Sequence, residues 1–101
     1  MANIDDISFQ LVAAAGTARS LAFEALGEAK GGGFERAEAL LEQSKKANLE
    51  AHAIQTDLLK QEAQGNHTTV NVLLMHAQDH LMCAMLAQEL IAEIIELYRV
   101  R

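Results

Sequence analysis

Four polar side chains interrupt a long apolar stretch in the last third of the chain, and their types and spacing suit chemistry. These residues are His76, Gln78, Asp79 and His80. Near neutral pH an imidazole can act as a nucleophile, a proton carrier or a metal ligand, and a carboxylate can hold a hard cation. On a helix that turns about 100° per residue, His80 lies one turn above His76, and Asp79 lies about 60° around from His76. The two histidines and the aspartate would therefore share one patch.

Spacing alone leaves several interpretations of this patch open. A histidine on an apolar helix is often a satisfied core or rim residue. His76 and His80 also have the spacing of two metal ligands on one helix face, so a non-catalytic helical adaptor or metal-binding bundle is an alternative to catalysis. A zinc-hydrolase site is excluded, because its His-Glu-x-x-His motif needs a glutamate directly after the first histidine, and Ala77 stands there.

The elements that must position the patch are predicted to be helices. The 101 residues include no proline, 4% aromatic residues and 50% hydrophobic residues, a composition typical of helical proteins. Glycine-containing breaks at residues 31–33 and 65–68 divide the chain into three segments, because glycine clusters end helices. We expect an all-α fold in one domain over residues 1–101, a three-helix antiparallel bundle with up-down-up topology.

Apolar residues recur in alternating steps of three and four in the first two segments, as on the buried stripe of a helix. In the first segment, for which Asn3 is the expected N-cap, the predicted stripe consists of Ile4, Ile7, Leu11, Ala14, Ala18, Leu21 and Ala25. In the second segment it consists of Ala37, Leu40, Ser44, Ala47, Ala51, Ile54 and Leu58. The third segment is expected from about Val70 to Arg99, with Thr68 or Thr69 as its cap.

The third segment differs from the other two because apolar residues cover most of its circumference. A helix that is apolar nearly all round is buried on more than one side, whereas a three-helix monomer hides only one stripe of each helix. The pattern therefore predicts self-association through the third helix. Asp79 lies in line with Val72 and Leu86, seven residues away in either direction, so an unpaired carboxylate would be costly there.

Charge and composition exclude several other classes of protein. The net charge of −6 argues against nucleic-acid binding, which calls for surfaces rich in lysine and arginine. A single cysteine cannot form an intrachain disulfide. Residues 1–6 lack the basic start of a signal peptide, and the longest apolar run, residues 81–87, is far too short to span a bilayer. We expect a soluble cytoplasmic protein without direct membrane insertion.

The motif in the third segment closely resembles the active-site helix of a known family. The matching run is Leu73-Leu74-Met75-His76-Ala77-Gln78-Asp79-His80-Leu81-Met82. The family is the lactose/cellobiose (chitobiose)-class enzyme IIA of the bacterial phosphoenolpyruvate-dependent sugar phosphotransferase system (PTS). Ala18-Arg19-Ser20-Leu21-Ala22 looks like the first helix of that family. Two stretches of the second segment look like the second helix of that family, namely Asn48-Leu49-Glu50-Ala51-His52 and Ile54-Gln55-Thr56.

This resemblance implies a specific assembly and reaction. Members of the family form homotrimers in which the third helices surround the axis of a nine-helix bundle. The histidine that matches His76 accepts a phosphoryl group from the small histidine phosphocarrier HPr and passes it to a cysteine of a sugar-specific IIB component. The aspartate that matches Asp79 faces the axis, where three copies hold one divalent cation per trimer, usually assigned as Mg²⁺.

The resemblance also implies which component of the transport system the protein would be and which class of sugar it would serve. The chain would be a phosphotransferase component rather than a stand-alone enzyme. It would serve the uptake of a β-linked disaccharide of the lactose, cellobiose or chitobiose type, with an indirect link to a membrane IIC permease. Gln78 and His80 are candidates to orient the His76 ring or to hydrogen-bond the phosphoryl oxygens, although Gln78 points well away from His76 around the helix. No nucleotide-binding glycine loop exists in the sequence, so the phosphate must arrive from another protein.

Overall fold

The structure, a computed structural model, describes residues 3–101 as three long helices without a β-strand. They are α1 (Ile4–Lys30), α2 (Phe34–Ala63) and α3 (Val72–Arg99). The expected all-α fold of three helices is confirmed. Met1 and Ala2, with which the N-terminal stretch considered above begins, lie outside the described residues.

Contacts at the two ends of the bundle confirm the up-down-up topology. Near the start of α1 the Asn71 side-chain nitrogen, just before α3, donates to an Asp5 carboxylate oxygen over 3.3 Å. At the opposite end the guanidinium of Arg99, the last residue of α3, pairs with Glu38 in the first turns of α2. The reversal between α1 and α2 takes only three residues, because Gly32 adopts a positive φ of 84° that residues with a Cβ rarely occupy.

Asparagine side chains cap the N-termini of α1 and α3. The Asn3 side-chain oxygen accepts from the Asp6 backbone N–H over 2.9 Å, as predicted. For α3 the predicted cap at Thr68 or Thr69 is wrong. Asn71 caps the helix instead, because its extended backbone lets its side-chain oxygen accept from the backbone N–H of Leu74 over 2.8 Å. The helix therefore begins at Val72, about two residues later than predicted.

Helix α1 lies between the other two and buries mainly small residues. Its buried face consists of Ser8, Leu11, Ala15, Ala18, Ala22, Ala25 and Ala29. Leu11, Ala18 and Ala25 were predicted, whereas the predicted Ile4, Ile7, Ala14 and Leu21 are only half-buried at the edges of that face. Alanine occupies the centre because α1 packs against two helices at once, and small side chains allow the closest approach.

Helix α2 contributes a narrower buried face, which Ala37, Leu40, Ser44 and Ala51 form as predicted. The predicted Ala47, Ile54 and Leu58 are half-buried, and the unpredicted Leu41 and Asn48 are buried. The Ser44 hydroxyl donates to the Ala18 backbone carbonyl over 2.6 Å. This bond satisfies a buried polar group and joins α1 to α2 directly.

Helix α3 carries apolar residues on two faces, and the bundle covers only one of them. The covered face consists of Leu74, Ala77, Leu81, Ala84, Gln88, Ile91 and Ile95. The other face is exposed; its members, here called the apolar stripe, are Val72, Met75, Met82, Leu86, Leu90, Ile94 and Leu97. Within residues 3–101, no helix combines the length and the apolar character needed to cross a membrane. The surplus apolar surface predicted for the third segment is therefore present in the folded chain.

Candidate functional site

The two histidines of the motif meet on the surface of α3. His76 is exposed and His80 is half-buried. Their ring centroids lie 4.7 Å apart with the planes inclined by 73°, an edge-to-face contact between residues one helical turn apart. Such a contact restricts how the His76 ring can turn. The structure therefore brings His76 and His80 together, as the spacing predicted, and leaves the His76 ring accessible.

Asp79 lies in the middle of the apolar stripe. The Asp79 side chain is exposed in the single chain. The Cys83 thiol donates to an Asp79 carboxylate oxygen, with the sulfur 3.7 Å from that oxygen. In the part of the chain that the structure describes, no three His, Cys, Asp or Glu side chains gather into a possible metal site. Among the described residues, one chain therefore offers a single carboxylate at this position.

Gln78 points away from His76 and toward α2. Its side-chain oxygen accepts a hydrogen bond from the Gln55 side-chain nitrogen over 2.7 Å. The same Gln55 nitrogen lies 3.5 Å from the Met82 sulfur. The sequence assigns no role to Gln55, although it lies in the Ile54-Gln55-Thr56 stretch that resembles the family and next to the predicted stripe of the second segment.

A groove opens beside Gln78, between the end of α2 and the start of α3. It has a volume of about 350 Å³, and apolar side chains including Leu58, Leu59, Leu74 and Met75 form much of its wall. Gln78 and Glu62 supply polar atoms at this wall. The groove and the exposed His76 ring therefore lie on different flanks of α3 within one chain.

The remaining two histidines lie outside this arrangement. His52 and His67 are exposed, and His67 pairs with Glu62. Cys83 is exposed on α3, one turn after Asp79. Among residues 3–101, none of the ion pairs includes His76, Asp79 or His80. In the described part of the chain, the motif is therefore not part of a salt-bridge network.

Comparisons with known proteins point to one family. The family described as "PTS system, Lactose/Cellobiose specific IIA subunit" matches residues 6–99. A PTS system N,N'-diacetylchitobiose-specific EIIA component from Escherichia coli (strain K12) is 46% identical over 95 residues. The aligned part covers 94% of this chain and 82% of that protein.

Solved structures agree with the sequence comparison. The crystal structure of the PTS cellobiose-specific enzyme IIA from Bacillus anthracis superimposes with a TM-score of 0.91 at 47% identity, covering 98% of this chain and 92% of that one. The solution structures of a IIA(chitobiose)–HPr complex contain a chain that superimposes with a TM-score of 0.84 at 42% identity. That match covers 98% of this chain and 96% of the other.

Proposed function

The chain belongs to the lactose/cellobiose-specific IIA family of the sugar phosphotransferase system, and on that premise we propose that it is a cytoplasmic phosphoryl carrier acting through His76. The observation that carries this proposal is the exposed His76 imidazole, held on a rigid helix against the edge of the His80 ring. Phosphoryl transfer requires mainly a positioned nucleophile and stabilisation of charge. An accessible imidazole on a fixed backbone supplies the first of these.

The proposed reaction is a pair of reversible phosphoryl exchanges. In the first, the lone pair of a His76 ring nitrogen forms an N–P bond while the N–P bond of phospho-HPr breaks, and the bonding pair leaves with the HPr nitrogen. In the second, the cysteine thiolate of IIB forms an S–P bond, and the bonding pair returns to His76. No oxidation state changes. Splitting the overall transfer into two steps is the role of a nucleophilic carrier.

The partners follow from the family and from the accessibility of His76. A similar protein is described in complex with HPr, and an exposed ring can meet first that donor and then IIB. The chain would be linked to the membrane IIC permease only indirectly, through IIB. The β-linked disaccharide would contact IIC rather than this chain. In this proposal His80 orients the His76 ring; the role of Gln78 depends on the assembly.

The proposed assembly is a homotrimer around the third helices. The uncovered apolar stripe supports it, because contiguous apolar surface of this kind is typical of interfaces. Asp79 sits within that stripe, so three copies around one axis would bring three carboxylates together. Oxygen ligands suit Mg²⁺, and the Asp79 side chains would hold one such cation per trimer. When bound, the cation would offset the charge of the buried carboxylates.

Phosphorylation by purified upstream components tests this proposal against the non-catalytic adaptor. The chain is incubated with phosphoenolpyruvate, enzyme I and HPr, and intact-protein mass is measured. A carrier gains one phosphate per subunit, and an adaptor gains none.

Substitution of the two histidines identifies the phosphorylated residue. His76→Ala should fold and trimerise, since its exposed ring leaves no cavity, yet gain no phosphate. His80→Ala should still be phosphorylated, at a reduced rate. The adduct should be labile in acid and stable in base, as a phosphoramidate is. Base-stable phosphorylation of His76→Ala at the wild-type rate would move the chemistry to another histidine.

A further inference from the structure

We infer that His76 and His80 of one chain form a chelating site for a transition-metal cation such as Zn²⁺, and that the bound ion blocks phosphoryl transfer to His76. The binding rests on the geometry of the two rings. Its effect on transfer rests on the proposed carrier function, to which it adds a form of inhibition. The site is separate from the proposed Mg²⁺ site, whose ligand is Asp79.

The distance between the two imidazole rings suits two ligands of one ion. Their centroids lie 4.7 Å apart, and their planes are inclined by 73°. Zinc binds histidine nitrogen at about 2.0–2.1 Å in tetrahedral geometry, so two imidazoles on one ion have centroids about 5 Å apart. Because residues four apart on a helix are neighbours on its surface, the α3 backbone holds both rings at this separation. Chelation then requires a rotation of the rings that turns one nitrogen of each toward the ion.

The ring nitrogens of both histidines are available to an ion. Among residues 3–101, none of the side-chain hydrogen bonds and ion pairs includes either ring. His76 is exposed and His80 is half-buried, so an ion can reach the pair from solvent. Water would fill the remaining positions of a tetrahedral ion. The site therefore needs no third protein ligand, in agreement with the absence of a three-residue cluster in the described part of the chain.

The chemistry of the donor atoms separates this site from the one at Asp79. Imidazole suits Zn²⁺, Ni²⁺ and Cu²⁺, whereas carboxylate oxygens suit Mg²⁺. The Asp79 side chain lies about 60° around the helix from His76, and its carboxylate accepts from the Cys83 thiol. Mg²⁺ should therefore leave the histidine pair free, and ions that prefer imidazole should occupy it.

Metal binding and phosphorylation compete for the same lone pair. A neutral imidazole has one ring nitrogen with a free lone pair, and its other nitrogen carries a proton. When an ion occupies the lone pair of His76, the second nitrogen still holds its proton, so neither nitrogen can form an N–P bond. Bound Zn²⁺ should therefore lower the fraction of chains that can accept a phosphoryl group.

Calorimetric titration of the intact chain with Zn²⁺, in excess Mg²⁺, tests the binding. The wild type should bind one Zn²⁺ per subunit. His76→Ala and His80→Ala should each weaken this binding by at least about tenfold, since the loss of groups that merely orient metal ligands already costs about 10–100-fold. The matched control is His52→Ala, which removes another exposed histidine and should bind like the wild type. His80→Gln, which keeps a polar side chain, replaces His80→Ala if circular dichroism shows that the alanine variant does not fold.

Transfer from preformed phospho-HPr tests the effect of the ion on the reaction. When free Zn²⁺ is ten times the measured dissociation constant, the initial rate of the wild type should fall about tenfold, because about one chain in eleven then has a free His76. The same concentration of Mg²⁺ should have no effect. His80→Ala transfers at a reduced rate without metal, and that rate should be insensitive to Zn²⁺. This variant also controls for any action of Zn²⁺ on phospho-HPr.

Two further variants test whether Zn²⁺ acts at a neighbouring group instead. Cys83→Ser removes the thiol that donates to Asp79, and Asp79→Leu removes the carboxylate. Both variants should lose the same fraction of their initial rate to Zn²⁺ as the wild type does. Insensitivity of either variant would move the inhibiting ion to the Asp79–Cys83 pair and overturn the histidine chelate.

The remaining outcomes separate the chelate from the carrier function. If the wild type gains no phosphate from phospho-HPr in the absence of Zn²⁺, the carrier function is wrong, and calorimetry alone decides whether the pair binds the ion. If the wild type is phosphorylated but His80→Ala binds Zn²⁺ equally tightly, or saturating Zn²⁺ leaves wild-type transfer unchanged, the carrier function stands and the inhibitory chelate is overturned.

Discussion

The two faces of α3 are both apolar, yet they differ in the size of their residues and in their polar groups. The face covered by α1 and α2 alternates leucine and isoleucine with Ala77 and Ala84, which are completely buried. The apolar stripe on the other side contains only large side chains, and Leu86 in its middle is 56% exposed. The covered face includes the amide side chain of Gln88, whereas the carboxyl side chain of Asp79 lies between the members of the stripe.

This difference reflects two kinds of packing. The covered face meets the alanine-rich surface of α1, where small residues on both helices let the backbones approach closely. Within residues 3–101 the stripe stays exposed, so its large side chains are available for contact with another molecule. If assembly buried this stripe, the Asp79 carboxylate would lose water, which is costly for an unpaired charge. Assembly would therefore need either a cation beside the carboxylate or water that stays bound to it. One face thus stabilises the fold, and the other is suited to assembly.

The largest expected effect comes from the covered face. Leu81 is completely buried among Leu11, Ala77 and Ala84. Leu81→Ala should lower the free energy of unfolding by about 2–5 kcal/mol, because it removes buried apolar area and leaves a cavity. Urea denaturation at several protein concentrations measures this loss, which should not depend on concentration.

The same substitution on the stripe is its matched control. Leu86→Ala should change the unfolding of the single chain by no more than about 0.5 kcal/mol, and it should instead weaken the assembly. Its apparent stability should therefore fall as the protein is diluted, beyond the dilution effect in the wild type. Equal, concentration-independent losses for Leu81→Ala and Leu86→Ala would contradict the division between the two faces.

The second effect concerns the charge in the stripe. Asp79→Leu should assemble without a divalent cation, and apolar replacement of a buried charge is neutral or stabilising by about 1–4 kcal/mol in comparable cases. Asp79→Asn keeps buried polarity without the compensating ion and should be less stable than Asp79→Leu. Thermal melts with and without chelator provide the measurement. An unchanged wild-type Tm in chelator would exclude a structural cation at Asp79.

The smallest effect concerns a polar group inside the core, where a partner is present. Ser44→Ala removes the 2.6 Å hydrogen bond to the Ala18 carbonyl and should cost about 1 kcal/mol. The loss should be the same at every protein concentration and with or without metal, unlike the response of Asp79. A metal-dependent loss in Ser44→Ala would show that the core and the stripe are not independent.

Several features of the fold could be predicted from particular residues. The glycine-containing breaks and the apolar spacing predicted three helices, and Asn3 caps α1 as expected. The start of α3 was wrong because Asn71, rather than Thr68 or Thr69, adopts the extended backbone that a cap needs. Part of the predicted α1 stripe, including Ile7 and Leu21, lies at the edge of the buried face, because spacing admits several apolar positions and contact with two helices favours alanine at the centre. Spacing also predicted the contact between His76 and His80, and nothing in it joined Gln55 to Gln78.

The sequence by itself determined the helical segments, the surplus apolar face of α3 and the motif that brings His76 and His80 into contact, because all of these depend on local periodicity. Only the tertiary structure decided that Gln78 bonds Gln55, residues 23 positions apart on different helices. It also decided that the apolar stripe stays uncovered. Both outcomes depend on how α2 is rotated and placed against α3, and no repeat along a single helix encodes that placement.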